Sequence, residues 1–473
     1  MTQTNNTYLE LIARGLPERR GQPKTVLIAG AGMAGLAAAY ELQRAGHHPI
    51  VVEAQSRVGG RVFTLREPFS HGLYGEAGAM RIPRVHQLTM AYVQKFNLPT
   101  AHFTGHNPQA FCHVGGASRT MQAAFDDPDC LGFDLDPHER GCTIDHLWSE
   151  ALRPLAEKVE QHGSAGWDSI VADYDDLSVR EFLESCGWSE GAIEYFGLML
   201  NQEAMMNSSF LELLREEIGR YYHDMVYISG GMDLLPRAFF PHLEGSILFG
   251  TRLTAIDQGP ENVTFYLRSL AGTSKLTADY AILTIPFPVM RHIEVLKPFS
   301  RDKQRAIRQL HYDASAKVFL QSRTRFWETD HGIYGGGTVT DLAIRNLFYP
   351  DHGRETGRGV LLASYTWGED AQRWGSLPPE DRLRQAVENV AAIHPQINTE
   401  VEAGASKMWH DDEFAGGAFA LFDPGQQTLL FNAIQAPEGR IHFAGEHTSL
   451  THAWIQGAIE SGLRAALEVH SAP

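Results

Sequence analysis

Hydrophobic and polar positions change period several times along the chain. Near the start, "YLELIARG" spaces its apolar residues as a short helix does, and a polar linker follows to residue 23. "KTVLIAG" is an apolar run closed by glycine, the pattern of a buried strand. "MAGLAAAYELQRAG" reads as an alanine-rich helix ended by Gly46, and "HPIVVE" as a second strand. Strand, helix and strand within about 30 residues predict a parallel βαβ unit. Helical spacing then dominates from 119 to 225, in "TIDHLWSEALRPLAEKVEQHG", "SVREFLESCG" and "SSFLELLREEIGRYYHDM". Strand patterns return in "GSILFGTRLTAID", "NVTFYLRSL" and "LTADYAILTIP". A mixed region covers 311 to 435, and the chain closes with the strand "GRIHFAGE", a short loop and the helix "WIQGAIESGLRAALEVH".

Composition narrows this picture. A chain of 473 residues exceeds what one core accommodates, so two or three domains are expected. Forty Lys and Arg against 57 Asp and Glu leave a formal charge of −17, which argues against nucleic acid or an anionic membrane as a general partner. The N-terminal residues lack a basic start, an apolar core and a small-residue cleavage site, so a cytoplasmic location is expected. The longest apolar stretch, Val26 to Tyr40, is short for a membrane span and studded with glycine. Cys112, Cys130, Cys142 and Cys186 form no CxxC pair and read as free thiols in a reducing compartment. No His/Cys cluster has zinc spacing, so no metal is expected.

The first chemical signal lies in the βαβ unit. "GAGMAG" places Gly30, Gly32 and Gly35 as G-x-G-x-x-G between a predicted strand and a predicted helix, and Glu53 ends the next strand. That context is the fingerprint of dinucleotide binding. Gly30 makes the turn, Gly32 leaves room for a pyrophosphate, and Gly35 lets helix and strand pack closely. The helix N-terminus offers free N–H groups to the phosphates, and Glu53 can accept bonds from a ribose. In "AQSRVGGRVFT", Gly59 and Gly60 permit a second close approach, and Arg61 adds a fixed positive charge.

Strand, GxGxxG, helix, strand and Glu followed by "GGR" resemble the flavin-dependent amine oxidase family. The resemblance implies an α/β fold: a Rossmann-like FAD-binding domain, a mixed α+β substrate domain and a helical insertion. Boundaries are expected at 24–66, 228–310 and 436–473 for the FAD-binding domain. The substrate domain is expected at 5–20, 67–118 and 311–435, and the insertion at 119–227. "IHFAGEHTS" looks like the family's C-terminal flavin motif, with Gly445 ending a strand and Glu446 bonding the ribityl or pyrophosphate region. The helix that starts near Trp454 would aim its positive end at the isoalloxazine. The resemblance extends the expected FAD contacts to Met33, Ala34, Ala54, Gly60, Gly78, Ala79, Met80, Arg81, Leu253, Trp454 and Ile455. No cysteine follows Cys186, which implies non-covalent FAD.

A second signal is "GEAGAMRIP", where Arg81 follows small residues and has no acidic neighbour for four residues on either side. Such a charge needs a partner or faces water. "GEAGAMRIPRVHQLTMAYVQKFNL", "HYDASAKVFLQSRTRFWE" and "GGMDLLPRAF" resemble L-amino acid oxidases, and this resemblance covers nearly the whole chain. It implies that Arg81 binds the substrate carboxylate, with the preceding small residues lying against the flavin. Tyr365 would add a second bond to that carboxylate, Trp454 would wall the pocket, and Lys317 would act near the flavin through a water. Ala453 stands where glycine is expected, and its methyl could narrow the pocket. Tyr221, Tyr222 and His223 read as core aromatics and stay outside the expected site.

The implied activity is oxidation of an L-amino acid by oxygen to a 2-oxo acid, ammonia and hydrogen peroxide. Amino-acid 2-monooxygenase and monoamine or polyamine oxidase are alternatives on the same fold, and a structural role for a flavin-bound protein is a reading from another class. A homodimer or higher homo-oligomer is expected.

Overall fold

The glycine-bounded apolar run forms the strand Thr25–Ala29, at the centre of a five-stranded parallel sheet. Across the sheet the order is Ile247–Leu248, His48–Val52, Thr25–Ala29, Tyr280–Leu283 and Ile441–Phe443. The computed structural model describes residues 2–19 and 21–473. Helices Met33–Arg44 and Ile455–Ser471 pack together over this sheet. A Cβ added at Gly462 would lie 2.4 Å from the Ala34 carbonyl oxygen, so the two helix backbones touch there. The carboxyl ends of the parallel strands lead into Gly30, Glu53, Thr284 and Gly445, which border one crevice. Ligands of open α/β sheets bind outside these ends.

One predicted strand divides in two. "GSILFGTRLTAID" becomes Ile247–Leu248 in the parallel sheet and Arg252–Gln258 in a four-stranded sheet with Val263–Ser269, Gly272–Ala278 and Glu294–Val295. Gly250, at φ +59°, turns the chain between them, in a region that favours glycine.

The mixed region builds a seven-stranded sheet. Its order is Val401–Met408, Ser315–Ser322, Gly359–Trp367, Asn346–Phe348, Gly337–Thr340, Phe111–Val114 and Ala117–Thr120. Every position of Ser315–Ser322 is buried, so the alternation of Lys317 with Val318 separates two covered faces rather than core from solvent. Lys317 is therefore not a solvated strand lysine. It lies directly across from Tyr365 in the antiparallel register.

The helical block has its own apolar core, in which Trp148, Phe182, Phe196 and Phe210 meet. It does not stay helical to residue 227. Its last segment, Met225–Ile228, is a strand that pairs with Ile82–Pro83 and Thr100–His102 and ties the block to the chain that carries Arg81. The N-terminal helix Thr2–Arg14 packs on the parallel sheet. It buries Tyr8, Leu11 and Ile12 in the same core as Val26 and Ile28, because its apolar stripe completes the cover over the nucleotide-type sheet.

Candidate active site

A cavity of about 310 Å³ lies where the parallel sheet, the seven-stranded sheet and the helical block meet. At its sheet end the short turn after Ala29 sets the geometry. Gly30 has φ +102°, and a Cβ on Gly35 would sit 2.0 Å from the Gly30 carbonyl oxygen. Gly35 is thus required by helix–strand contact, and it is the one expected cofactor residue that does not line the cavity. Gly32 differs: a Cβ there would meet nothing within 4 Å, and the residue faces the cavity. The helix Met33–Arg44 that follows has no side-chain cap, so its first N–H groups remain available. The Gly59–Gly60 turn lies against this loop, through an N–H bond from Gly59 to the Ala31 carbonyl of 2.8 Å and a bridge between Gly32 and Gly59. Glu53 accepts from the Ala31 and Gln55 N–H groups at 2.7 and 2.8 Å. This cradle of bare backbone, free N–H groups and a carboxylate fits a dinucleotide.

Glu446, expected to bond the cofactor, lines the cavity and also ties its walls together. Its oxygens accept from the Arg61 Nη1 at 2.9 Å and from the Ala420 and Ala453 N–H groups at 3.2 and 3.1 Å. It therefore joins three walls of the cavity. Ala453 itself has φ +66°. That is the conformation in which glycine is expected, and an L-residue there is strained by roughly 1–2 kcal/mol. Trp454 caps the final helix, Ile455–Ser471, whose first turn has no side-chain cap and abuts the cavity.

The segment bearing Arg81 is held from behind. Lys317, 1% exposed, donates to the carbonyls of Glu76 and Gly78 at 2.9 and 2.7 Å. Burial pushes its ammonium down to about 7. Its Nζ also lies 4.3 Å from the centre of the Tyr365 ring. The small residues before Arg81 answer to protein contacts as much as to any ligand. A Cβ on Gly75 would strike the Phe319 ring at 2.7 Å, and one on Gly78 would strike the Arg61 carbonyl oxygen at 1.8 Å. Gly78, Ala79 and Met80 nonetheless border the cavity.

Arg81 enters that cavity without a counter-charge. Among the described residues it makes no ion pair, and Phe103 and Tyr222 flank its guanidinium with ring centres 5.5 and 5.3 Å from Cζ. The nearest acid in sequence, Glu76, turns away from it and accepts from Thr64 Oγ1 and the Met232 N–H at 2.9 and 2.8 Å. Tyr365 borders the same space.

The cavity also contains residues that sequence reasoning passed over. Tyr221 and Tyr222 are on its wall, although helical aromatics usually belong to a core. Glu212, Arg215 and Glu216, on helix Phe210–Ile218, border it too. Glu212 pairs with His452 at 2.8 Å and lies 3.7 Å from Arg215. Glu216 accepts from the Tyr222 hydroxyl at 2.7 Å and from Trp454 Nε1 at 2.6 Å. The available signal was a run of charges one helical turn apart inside an otherwise apolar pattern. Among the described residues no group of three or more His, Cys, Asp or Glu side chains could hold a metal ion. Among them, too, no helix is long and apolar enough to cross a membrane.

Comparison with known proteins agrees with this geometry. Residues 33–470 match the family model described as flavin containing amine oxidoreductase. The chain is 40% identical over 480 residues to YobN of Bacillus subtilis (strain 168), which carries the provisional name L-amino-acid oxidase, with 99% of each chain covered. It is 35% identical over 472 residues to the L-amino-acid oxidase of Vipera ammodytes ammodytes, covering 98% of this chain and 96% of that one. Among solved structures, cyclohexylamine oxidase from Brevibacterium oxydans IH-35A superposes with a TM-score of 0.76 at 20% identity, over 95% of this chain and 99% of the other. Putrescine oxidase bound to putrescine gives 0.75 at 20% identity, over 95% and 100%.

Proposed function

The chain belongs to the flavin-containing amine oxidoreductases, and we propose that it is an L-amino acid oxidase that holds FAD without a covalent bond. The observation that carries the reading is Arg81, which makes no ion pair among the described residues and lines the cavity that the glycine cradle opens into, with the rings of Phe103 and Tyr222 beside it. A guanidinium offers two parallel N–H groups to a carboxylate, which an amino acid has and a simple amine lacks.

The Gly30–Gly32 turn, the free helix ends at Met33 and Ile455, Glu53 and Arg61 would hold FAD. Bound FAD would supply the two-electron oxidation of the amine carbon–nitrogen bond and pass the electrons to oxygen. Arg81 binds and orients the α-carboxylate, with Tyr365 beside it. Trp454 and Tyr222 wall the substrate and exclude water, and desolvation favours the neutral form of the substrate amine. Lys317 keeps the Arg81 segment in register through two carbonyls and, with its proton affinity lowered, can hold or release a proton near neutral pH. The imino acid then takes up water to give a 2-oxo acid and ammonia, with hydrogen peroxide as the reduced product of oxygen. Peroxide release with L-amino acids, 2-oxo acid as the carbon product and little activity on the matching decarboxylated amines are the expected results. An amide product would point to a monooxygenase, and preference for the amines to an amine oxidase.

Two further outcomes follow from the same site. Acid precipitation of the yellow protein should leave all FAD in the supernatant, because among the described residues no cysteine lines the cavity. Flavin retained by the precipitate would contradict this. Lys317→Met should keep its flavin yet slow reduction by substrate or reoxidation by oxygen at least about tenfold. The two carbonyls at Glu76 and Gly78 lose their donor, a loss of about 1–3 kcal/mol per unsatisfied group. Stopped-flow traces of both half-reactions check this, and wild-type rates in both would remove Lys317 from the mechanism.

A further inference from the structure

The Glu216 carboxyl, on the cavity wall, has no task in this scheme. Glu446 is engaged by Arg61, Glu212 by His452, and Glu53 by backbone N–H groups. Glu216 has no cationic partner among the described residues and is held only by the Tyr222 hydroxyl and Trp454 Nε1. We infer that Glu216 receives the cationic side chain of a basic L-amino acid, such as arginine or lysine, whose α-carboxylate lies on Arg81.

The arrangement around Glu216 is that of a cation receptor. Both of its oxygens are oriented by ring donors and keep lone pairs for a ligand. The rings of Tyr221 and Tyr222 each lie 5.8 Å from that of Trp454, and His86 lies 5.0 Å from it, so an aromatic cluster is built around the indole that donates to the carboxylate. Ammonium and guanidinium groups are attracted to such faces. Tyr222 also ties Glu216 to Arg81. Its ring centre lies 5.3 Å from the Arg81 Cζ and its hydroxyl donates to Glu216 at 2.7 Å, so one phenol touches both charges. Arg81 and Glu216 line the same cavity, so a ligand gripped through its carboxylate has a second, opposite charge to meet with its side chain.

The neighbouring cation does not reverse this. The Nη atoms of Arg215 are buried, and Nη1 lies 3.7 Å from Glu212, which Arg215 shares with His452. Burial pushes the Glu216 carboxyl up to about 7, the response of an acid lacking a counter-ion, and a bound cation would supply one.

The inference rests on the reading of the cavity as an L-amino acid site, so its test must separate the two. Steady-state kcat/KM of the holoenzyme, followed by peroxide release, is compared for L-arginine against L-citrulline and for L-lysine against L-norleucine. Each pair differs in charge at nearly constant size. Wild-type should favour the charged member of each pair at least about tenfold, a modest share of what a buried charge pair contributes. Glu216→Gln, with flavin content checked, should collapse that ratio toward one. Preference for the neutral members, or for L-glutamate, would overturn the inference while leaving the oxidase reading in place. So would an equal loss for both members of each pair in Glu216→Gln, which would make Glu216 a positioning residue for Tyr222 and Trp454. Failure to oxidise any L-amino acid would overturn both. If Glu216→Gln does not fold, the wild-type comparison decides by itself.

Discussion

Arg81→Ala should lower kcat/KM for L-amino acids by roughly 30-fold to several thousand-fold, the equivalent of the about 2–5 kcal/mol lost when one side of a desolvated charge pair is truncated. The expectation follows from the absence, among the described residues, of any counter-charge at this guanidinium. If the substrate carboxylate is its partner, removing Arg81 strands that carboxylate in the cavity and frees the α-carbon to take non-productive positions. The loss should be much smaller for the corresponding decarboxylated amine, which has nothing to leave unpaired. Arg81→Lys should recover part of the rate, since an ammonium cannot match two oxygens with two parallel donors. The measurement is steady-state kinetics on acid and amine for each variant, with FAD content determined alongside. Equal losses on both substrates at full flavin content would show that Arg81 serves the fold and not the carboxylate.

The second large effect separates two glycines of the same motif. Gly32→Val should cost the apoprotein little beyond a poorer helix N-cap, about 1 kcal/mol. Its backbone is extended, at φ −75° and ψ 179°, and an added Cβ meets no protein atom within 4 Å. The added methyls instead fill the space assigned to the cofactor, and FAD affinity should fall roughly 30- to 150-fold, the equivalent of about 2–3 kcal/mol of overpacking. Gly35→Ala should behave differently. Its Cβ would stand 2.0 Å from a backbone carbonyl, so strand and helix must separate and the fold itself weakens. Thermal midpoints of the apoproteins and flavin titrations on both variants check the contrast. Full FAD affinity in Gly32→Val would mean that the turn packs a Rossmann-like sheet without cradling a ligand.

That contrast shows how far a motif can be read from its residues. The glycine spacing in "GAGMAG" specifies a tight turn between strand and helix, because these are contacts between near neighbours in the chain. The assignment of one glycine to packing and another to open space needs the surrounding atoms. Ala453 is similar. A residue type out of pattern was visible, whereas its positive φ was not.

From its own period and punctuation the sequence determined the βαβ unit, the helical block, the closing strand and helix, and an arginine set among small residues without a local acid. These depend on steric and hydrophobic rules that act over a few residues. The tertiary structure decided what no local rule reaches. Lys317 finds its acceptors 241 and 239 residues away, at Glu76 and Gly78. Glu216 meets the indole of Trp454 across 238 residues, and Glu446 meets Arg61 across 385. Each of these is a polar group in a place where burial would otherwise be costly. Its partner is chosen by which sheet edges and helix faces the packing brings together, and a one-dimensional pattern does not record that choice.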